Sequence, residues 1–434
     1  MVIVRLGPTD RRIIALGIPA LGTLAVEPLY RLVDTAIVGR IGTDELGGVA
    51  IAVTVLTLVV AGSNFLTYGT TERVAHRIGA GRADEAATVG VQAMWLAVIV
   101  GAIAAPVLFA LAPALTGLLG ADGDVHVAAV EYLRIASLGI PFVLVALGAQ
   151  GVQRGASDYR TPLVILLASN VVNLVLALTF VYALDMGLAG TAWSTVVAQA
   201  CAGLAFLVVI RRRLAPARSR RPSWDGMRPL LTAGRFLLLR VGSILAVFTG
   251  ATALAARVDP PTLAAHQIAA TMFAFLALTL DALAVPAQTL VAEELGRDDG
   301  DAADLSARVV RLSLMAAAVL ALVLALLSPV LPHVFTDDPA VIARATSALR
   351  YLALMLLPGA VAFGLDGVLI GAADYRFLGR AAFGYLLAVV PIAAVVIAVP
   401  SLGLAGIWIG LIIWMTLRAV FNARRATAVI GRAA

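Results

Sequence analysis

The first long apolar stretch of the sequence carries three ionisable residues on one helical face. In the segment VEPLYRLVDTAIVGR, Glu27, Arg31 and Asp34 are spaced four and then three positions apart, which brings their side chains together on a helix. A charged side chain inside an apolar helix is costly, so it is a candidate functional residue. One guanidinium beside two carboxylates leaves surplus negative charge, which predicts that this face binds and releases a proton or another cation. The alternative is a structural salt bridge in which Arg31 pairs with either carboxylate.

Further polar residues interrupt other apolar stretches. In the second half of the chain these are Arg240, Asp281 and Asp366, and Arg240 is predicted to form an ion pair with one of the two aspartates because an unpaired buried guanidinium is costly. This pair suits a structural or a functional role equally. In the first half, Asn170 and Asn173 share a helical face; they are predicted either to hold a cation or substrate or to pack neighbouring helices together.

The composition predicts that most of these residues lie within a membrane. The chain has 434 residues, of which 61% are hydrophobic and 13% charged, whereas soluble domains average about 45–50% apolar and about 25% charged residues. Twelve apolar blocks are long enough to cross the hydrocarbon core as helices, at residues 12–38, 46–70, 87–111, 127–150, 162–184, 187–210, 229–257, 262–290, 305–332, 345–371, 377–399 and 402–422. The expected fold is an all-α polytopic membrane protein with twelve transmembrane helices.

The arginines orient this fold. All 32 basic residues are arginine, and most lie in loops that are on the inner side if the N-terminus is inside. The positive-inside rule therefore predicts cytoplasmic termini in the cytoplasmic membrane. The arginines placed in outer loops are Arg40, Arg257, Arg344 and Arg350. Inner loops that contact anionic lipid explain the basic balance, so no nucleic-acid partner is expected. The sequence contains no recognisable nucleotide-binding, hydrolase or metal-ligand motif, so neither an enzyme nor a bound metal or cofactor is predicted.

One loop occurs twice in the chain. The string GVQRGASDYR begins at Gly151 and GVLIGAADYR begins 216 positions later, at Gly367, while GLAG recurs at the same separation from Gly187 to Gly403. Collinear matches at one spacing indicate a duplicated half. Each half has six spans, which predicts two lobes related by a pseudo-two-fold axis along the membrane normal. The predicted boundaries are an N-terminal lobe at 1–210, a cytoplasmic linker at 211–228 and a C-terminal lobe at 229–434.

The order of several strings resembles the multidrug and toxic compound extrusion (MATE) transporters, in particular their DinF-like branch. The strings are EPLYRLVDTAIVGRIGTDELGGVAIA, RIGAGRADEA and GLAGTAWST in the first half, and LAAHQIAA, LTLDALAVPAQTLVAEELG and LDGVLIGAADYR in the second. The resemblance implies a cation-coupled exporter in which Asp34 matches the functional acid of the first span. Many members carry a second acid four positions after an asparagine that matches Asn173. This chain has Ala177 there, which leaves Asp34, Asn173 and Glu27 as the candidates in that half.

The predicted function is an antiporter that exports amphipathic or cationic organic compounds in exchange for protons, with sodium as the alternative ion, and that works as a monomer. A flippase for lipids or lipid-linked glycans is a rival with the same architecture; it favours a cleft rich in basic residues. A membrane enzyme acting on lipid-linked substrates is a rival of another class. Its best acidic cluster, in GRDDGDAAD from Gly296, is more typical of a solvated loop.

Overall fold

A computed structural model describes residues 7–431, apart from the side chains of Glu27, Leu32, Val33 and Pro400. The described part of the first half is helical. Its helices are α1 (Pro8–Val38), α2 (Thr43–Ser63), α3 (Phe65–Gly79), α4 (Ala83–Leu118), α5 (Gly123–Ser137), α6 (Ile140–Gly155), α7 (Arg160–Leu178) and α8 (Gly187–Leu214). A π-helical turn, Thr179–Ala183, continues α7.

The second half contains fewer and longer helices. They are α9 (Trp224–Val258), α10 (Pro260–Gly296), α11 (Ala302–Leu327), α12 (Pro339–Gly371), α13 (Tyr375–Ala398) and α14 (Gly403–Ile430), with short 3₁₀ turns at Leu331–Val334 and Pro400–Leu402. Aspartates begin several of these helices. Asp259, for example, accepts a hydrogen bond of 2.8 Å from the Thr262 backbone N–H, which satisfies one of the free donors at the start of α10.

The helices confirm the predicted class of fold. Among the described residues, eleven helices are long and apolar enough to cross a membrane, and α5 and α6 form a twelfth span if the pair, bent by 51°, is counted as one. α2 and α3 together make one candidate span, Thr43–Gly79. Each predicted apolar block coincides with one of these spans, although the bounds differ: α4, for example, runs beyond its block at both ends, whereas α11 ends five residues before its block does. The chain is therefore an all-α multi-pass membrane protein.

The chain divides into two compact units whose boundaries differ from the predicted lobes. One unit is Gly22–Gly234, and the other combines the described residues up to Leu21 with those from Arg235 onward. The start of α1 belongs to the second unit because Asp10 accepts a hydrogen bond of 2.7 Å from Arg311 on α11. The predicted linker belongs to the first unit because the Gln92 side chain of α4 donates to the Arg221 carbonyl at 2.9 Å.

The repeated loop has the same backbone in both units. Ser157 and Ala373, at equivalent positions, both have φ of 58°, and each turn closes with a hydrogen bond of 2.9 Å from the following aspartate N–H to a helix carbonyl. This closure ends α6 and α12 in the same way. Asp158 then accepts a hydrogen bond of 3.0 Å from Arg213 on α8, and Asp374 accepts one of 2.6 Å from Arg425 on α14. The repeat therefore ties each loop to the last helix of its own half.

The glycines of the repeated loop are required where helices cross. A methyl group on Gly151 would lie 2.9 Å from the Thr67 carbonyl oxygen of α3, and one on the equivalent Gly367 would overlap the Ala284 carbonyl of α10. Small residues four positions apart allow membrane helices to approach this closely. The same close crossing thus forms in both units, between α3 and α6 and between α10 and α12.

Candidate functional site

The first unit encloses a polar cavity of about 400 Å³. Helices α1, α2, α3, α5, α6, α7 and α8 contribute to its lining. Four predicted site residues line it together: Arg31, Asp34, Asn170 and Asn173. The structure thus brings into one cavity residues that were selected separately from α1 and α7. The side chain of Glu27, the remaining candidate on this face, lies outside the described residues.

Asp34 is held by a chain of hydroxyl and amide groups. Its side chain is buried, with 7% exposed, and Oδ1 accepts a hydrogen bond of 3.4 Å from the Tyr30 hydroxyl. The Tyr30 oxygen also lies 3.4 Å from Oγ1 of Thr195 on α8. Thr195 in turn accepts from Nδ2 of Asn173 at 3.4 Å and donates its own hydrogen to the Thr191 carbonyl at 3.0 Å. One tyrosine hydrogen therefore serves two acceptors, Asp34 and Thr195.

Of the two alternative salt bridges of Arg31, the one with Asp34 does not form, and the one with Glu27 lies outside the described residues. Nη2 of Arg31 donates to Oγ1 of Thr57 on α2 at 3.1 Å, so its guanidinium extends toward the neighbouring helix. Within the described part of the chain, no arginine or histidine nitrogen lies within salt-bridge distance of the Asp34 carboxylate. Helical spacing placed the two residues on a common face, but it did not show that α2 offers Arg31 another acceptor. Asp34 is consequently a buried carboxylate whose one described donor is a phenol.

Asn173 contributes an acceptor that is still available. Its side chain is buried, and its Oδ1 atom has no hydrogen-bond partner among the described residues. An unsatisfied buried acceptor is uncommon and calls for a ligand or a water molecule. Asn170 lies at the same cavity wall. The residue four positions beyond Asn173, Ala177, instead packs in an apolar cluster with Ile37 and Val181, so α7 supplies amides and no acid here.

The second unit contains a closed ionic cluster around Asp366. Its Oδ2 atom accepts from Nη2 of Arg240 at 2.5 Å and from Nη2 of Arg418 at 2.6 Å. Its Oδ1 atom accepts from Nδ2 of Asn422 at 2.7 Å, and the hydroxyl of Tyr385 donates to Asn422 at 3.3 Å. The predicted pairing of Arg240 with one of the two aspartates is confirmed for Asp366. Two guanidinium groups outweigh the single negative charge of this carboxylate, so its surroundings disfavour a bound cation.

Asp281 lies close to that cluster without joining it. Its charge interacts electrostatically with Arg240, Asp366 and Arg418, yet within the described ranges it forms no hydrogen bond or ion pair. The alternative pairing of Arg240 with Asp281 is therefore not the one that forms. The Arg418 contact was missed because no sequence spacing relates α12 to α14, although an arginine within an apolar span was itself a signal.

The sequence also gave no role to Tyr30, Thr195, Gln150 and Arg154, all of which line the cavity of the first unit. Two of them had a usable signal. Tyr30 lies one helical turn before Asp34 on the same face, and Gln150 occupies the position equivalent to Asp366 when the two copies of the loop are aligned. Thr195 had none, because its contact with Tyr30 depends on how α8 packs beside α1.

Comparison with known sequences identifies the family. The MatE family model matches residues 19–179 and 243–395, which are parts of both halves and most of the chain. The chain belongs to the MatE family. The similarity inferred above from the motifs is thereby confirmed, and the chain is a membrane transporter.

Relatives of this MatE-family chain are found in plants and bacteria. Protein DETOXIFICATION 44, chloroplastic, of Arabidopsis thaliana is 31% identical over 97% of this chain and 82% of its own length. A probable multidrug resistance protein NorM of Geobacillus kaustophilus is 28% identical over 96% and 95% of the two chains. The DNA damage-inducible protein F of Escherichia coli K12 is 26% identical over 94% and 90%. The similarity therefore extends over nearly the whole MatE-family chain.

Solved structures share the fold. A crystal structure of MATE in the bent conformation matches 98% of this chain with a TM-score of 0.91, covering 97% of its own length at 21% identity. A MOP superfamily transporter from Pyrococcus furiosus matches with a TM-score of 0.88, at 21% identity over 99% and 97% of the two chains. At this identity the likeness concerns the architecture of this MatE-family chain and not its cargo.

Proposed function

We propose that this chain is a proton-coupled antiporter that exports amphipathic or cationic organic compounds across the cytoplasmic membrane. The observation that carries the proposal is Asp34, a carboxylate that is 7% exposed, lines a polar cavity and has no described basic partner. A carboxylate in that setting gains a proton at low cost, because protonation removes an uncompensated buried charge. Sodium is the alternative coupling ion.

The hydrogen-bond chain around Asp34 gives protonation a structural consequence. While Asp34 is ionised, the Tyr30 hydroxyl donates to it, and this bond lies within α1. When Asp34 is protonated, its hydroxyl becomes a donor to the Tyr30 oxygen. The Tyr30 hydrogen then turns to Thr195, whose own hydrogen is directed to Thr191. Protonation thus reverses the bond within α1 and adds a bond from α1 to α8, and a ligand that prefers one arrangement shifts the population toward it.

The lining of the cavity supports amphipathic cargo. Beside the polar groups it includes the apolar side chains of Leu56, Val60 and Leu147 and the rings of Tyr68 and Tyr132. Pockets for organic molecules combine an apolar wall with a few placed polar groups. The ionised form of Asp34 favours a cationic centre on the cargo, and a proton that binds Asp34 weakens that attraction. This competition is the basis of the proposed exchange of cargo for protons.

The ionic cluster around Asp366 in the second unit supports the assignment of proton coupling to Asp34 in the first unit. Asp366 is neutralised by two guanidinium groups at 2.5 and 2.6 Å, so a proton that binds it must displace charge-assisted hydrogen bonds. Asp34 has no such competitor among the described residues. Two bacterial relatives are named probable multidrug resistance proteins, which agrees with organic cargo.

The test is transport by purified protein in liposomes loaded with a fluorescent lipophilic cation. Dye movement driven by an imposed pH gradient, and absent under a sodium gradient at equal pH, is the expected result. Movement driven by sodium alone would show transport but contradict proton coupling. Dye retention under both gradients would contradict the proposed export of cations.

A further inference from the structure

A second charged group of the cavity lacks a counter-charge. Arg154, in the last turn of α6, is buried with 8% exposed and lines the same cavity as Asp34. Its Nη2 atom donates to Oε1 of Gln150 at 3.3 Å. No carboxylate of the described residues lies within salt-bridge distance of it. The guanidinium therefore faces the cavity with an amide oxygen as its described acceptor.

A buried charge of this kind needs an explanation. Buried charges in proteins are normally paired, because removing an ion from water is expensive. Arg418 in the second unit is buried to a similar extent, with 5% exposed, and it follows the rule through Asp366 at 2.6 Å. Arg154 departs from it. The missing partner of Arg154 is thus an anionic group that the described protein does not provide.

The cavity separates its two kinds of charge. One face of α6 lines it from Ile140 to Arg154, which corresponds to about 21 Å along the helix axis. Asp34 is close enough to interact electrostatically with Tyr132 on α5, the helix before that face. The Asp34 carboxylate therefore lies toward the α5 end of this face, and the Arg154 guanidinium lies at the far end of α6. The apolar residues Val143, Ala146 and Leu147 lie on the α6 face between them.

We propose that the cargo of this cavity carries a carboxylate that binds Arg154, with Gln150 supporting the guanidinium. The cargo class is an amphoteric organic compound in which an apolar body joins a basic centre, directed to Asp34, to an acidic group, directed to Arg154. This inference rests on the proposed export of amphipathic compounds and narrows it. A guanidinium has five N–H donors in a planar fork that matches the two oxygens of a carboxylate, and Arg154 has most of these donors available.

Arg31 does not fill this role. It lines the cavity as well, but Thr57 already accepts from its guanidinium at 3.1 Å, and the residue is exposed. Among the described lining residues, the acidic and basic side chains are thus Asp34, Arg31 and Arg154, and of the two arginines Arg154 is the buried one. Loss of its charge should affect acidic cargo selectively.

The experiment compares two dyes that differ in one carboxylate. Rhodamine B carries a cationic xanthene and a free carboxylate, whereas its ethyl ester keeps the cation and lacks the acid. Fluorescence anisotropy with the full-length protein in detergent, without any gradient, measures both dissociation constants. The wild type should bind the acid about tenfold more tightly than the ester, the effect of one charge-assisted hydrogen-bonded pair. Arg154→Gln should abolish that preference while it leaves ester binding within about twofold.

The matched control is Arg134→Gln, which removes one positive charge at an exposed site where the guanidinium stacks on Phe109. It should leave both affinities unchanged. Equal weakening of both dyes by Arg154→Gln would assign Arg154 a structural role and overturn the inference. If Arg154→Gln does not fold, binding to the wild type still tests the inference. A wild type that binds the acid and the ester equally would overturn it. Failure of the wild type to bind either dye would instead contradict the cargo chemistry of the proposed function.

Discussion

The hydroxyl oxygen of Tyr30 lies 3.4 Å from Oδ1 of Asp34, one helical turn further along α1. Within the described part of the chain, the Tyr30 hydroxyl is the one group that donates a hydrogen bond to this carboxylate. Since the same tyrosine also reaches Thr195, the protonation state of Asp34 decides which neighbour receives the tyrosine hydrogen. The first two predictions follow from this arrangement.

Asp34→Asn should abolish proton-driven export. Asparagine keeps the size and accepts the Tyr30 hydrogen bond, but it can neither ionise nor carry a proton, so transport should fall on the order of a hundredfold. Dye binding should be partly retained. Liposome efflux and its pH dependence give the measurement, with Asp44→Asn, an exposed carboxylate at the start of α2, as the control. Export by Asp34→Asn at the wild-type rate, with unchanged pH dependence, would contradict Asp34 as the coupling acid.

Tyr30→Phe should slow transport without unfolding the protein. The phenyl ring keeps the packing, but Asp34 and Thr195 lose the group that connects them, so the transport rate should decrease by about tenfold. The effect should be largest at the pH where Asp34 is ionised, because the lost donor stabilises that form. Tyr182→Phe provides the control, as this tyrosine is 56% exposed. An identical pH profile for Tyr30→Phe and the wild type would exclude a role in protonation.

Asp366→Asn should destabilise the second unit. It leaves the buried Arg418 and the largely buried Arg240 without their shared carboxylate, and removing one member of a buried ion cluster costs about 3–5 kcal/mol in the free energy of unfolding. Asp281→Asn is the matched control, because Asp281 forms no described ion pair and its replacement should cost little. Thermal unfolding in detergent compares the two variants. Equal melting temperatures would show that the Asp366 cluster contributes no net stability.

Stability should decrease in acid through Asp158, in the loop between α6 and α7. Burial acts to raise the pKa of this carboxyl, but hydrogen bonds from the Thr161 N–H, the Thr161 hydroxyl and Arg213 outweigh it and lower the pKa below its ordinary value. A lowered pKa stabilises the folded state fully above the unfolded value of about 3.9, and this contribution is lost as the pH falls through the folded value. Asp158→Asn should therefore be less stable at pH 7 and lose less stability on acidification. If the free energy of unfolding of the variant and of the wild type changed with pH in parallel, Asp158 would not be a source of the acid sensitivity.

The length of the apolar blocks was enough to predict the spans, because a helix in lipid must satisfy its own backbone and expose apolar side chains. A pair of Arg240 with either Asp281 or Asp366 was also predictable, since few charges are available within the spans, and the structure shows the pair with Asp366. The partners of Arg31 and Arg154 were not. The partner of Arg31 depends on which neighbouring helix offers an acceptor. Arg154 donates to Gln150 one turn earlier on its own helix, but the sequence placed it in a polar loop and the structure places it inside α6.

In evolutionary terms, the two copies of the duplicated half have diverged in how they neutralise a buried arginine. Aspartate at 366 gives the second copy an anion that closes on its own arginines, while glutamine at the equivalent position 150 leaves the arginine one turn later without a counter-ion. The arginines differ as well, because Arg154 corresponds to Ile370 in the second copy. An exchange between amide and acid, together with a change in the arginines, therefore separates a copy that neutralises itself from a copy that must recruit its anion. Conversely, Gln150→Asp would place a carboxylate beside Arg154, and this carboxylate would compete with acidic cargo for the guanidinium.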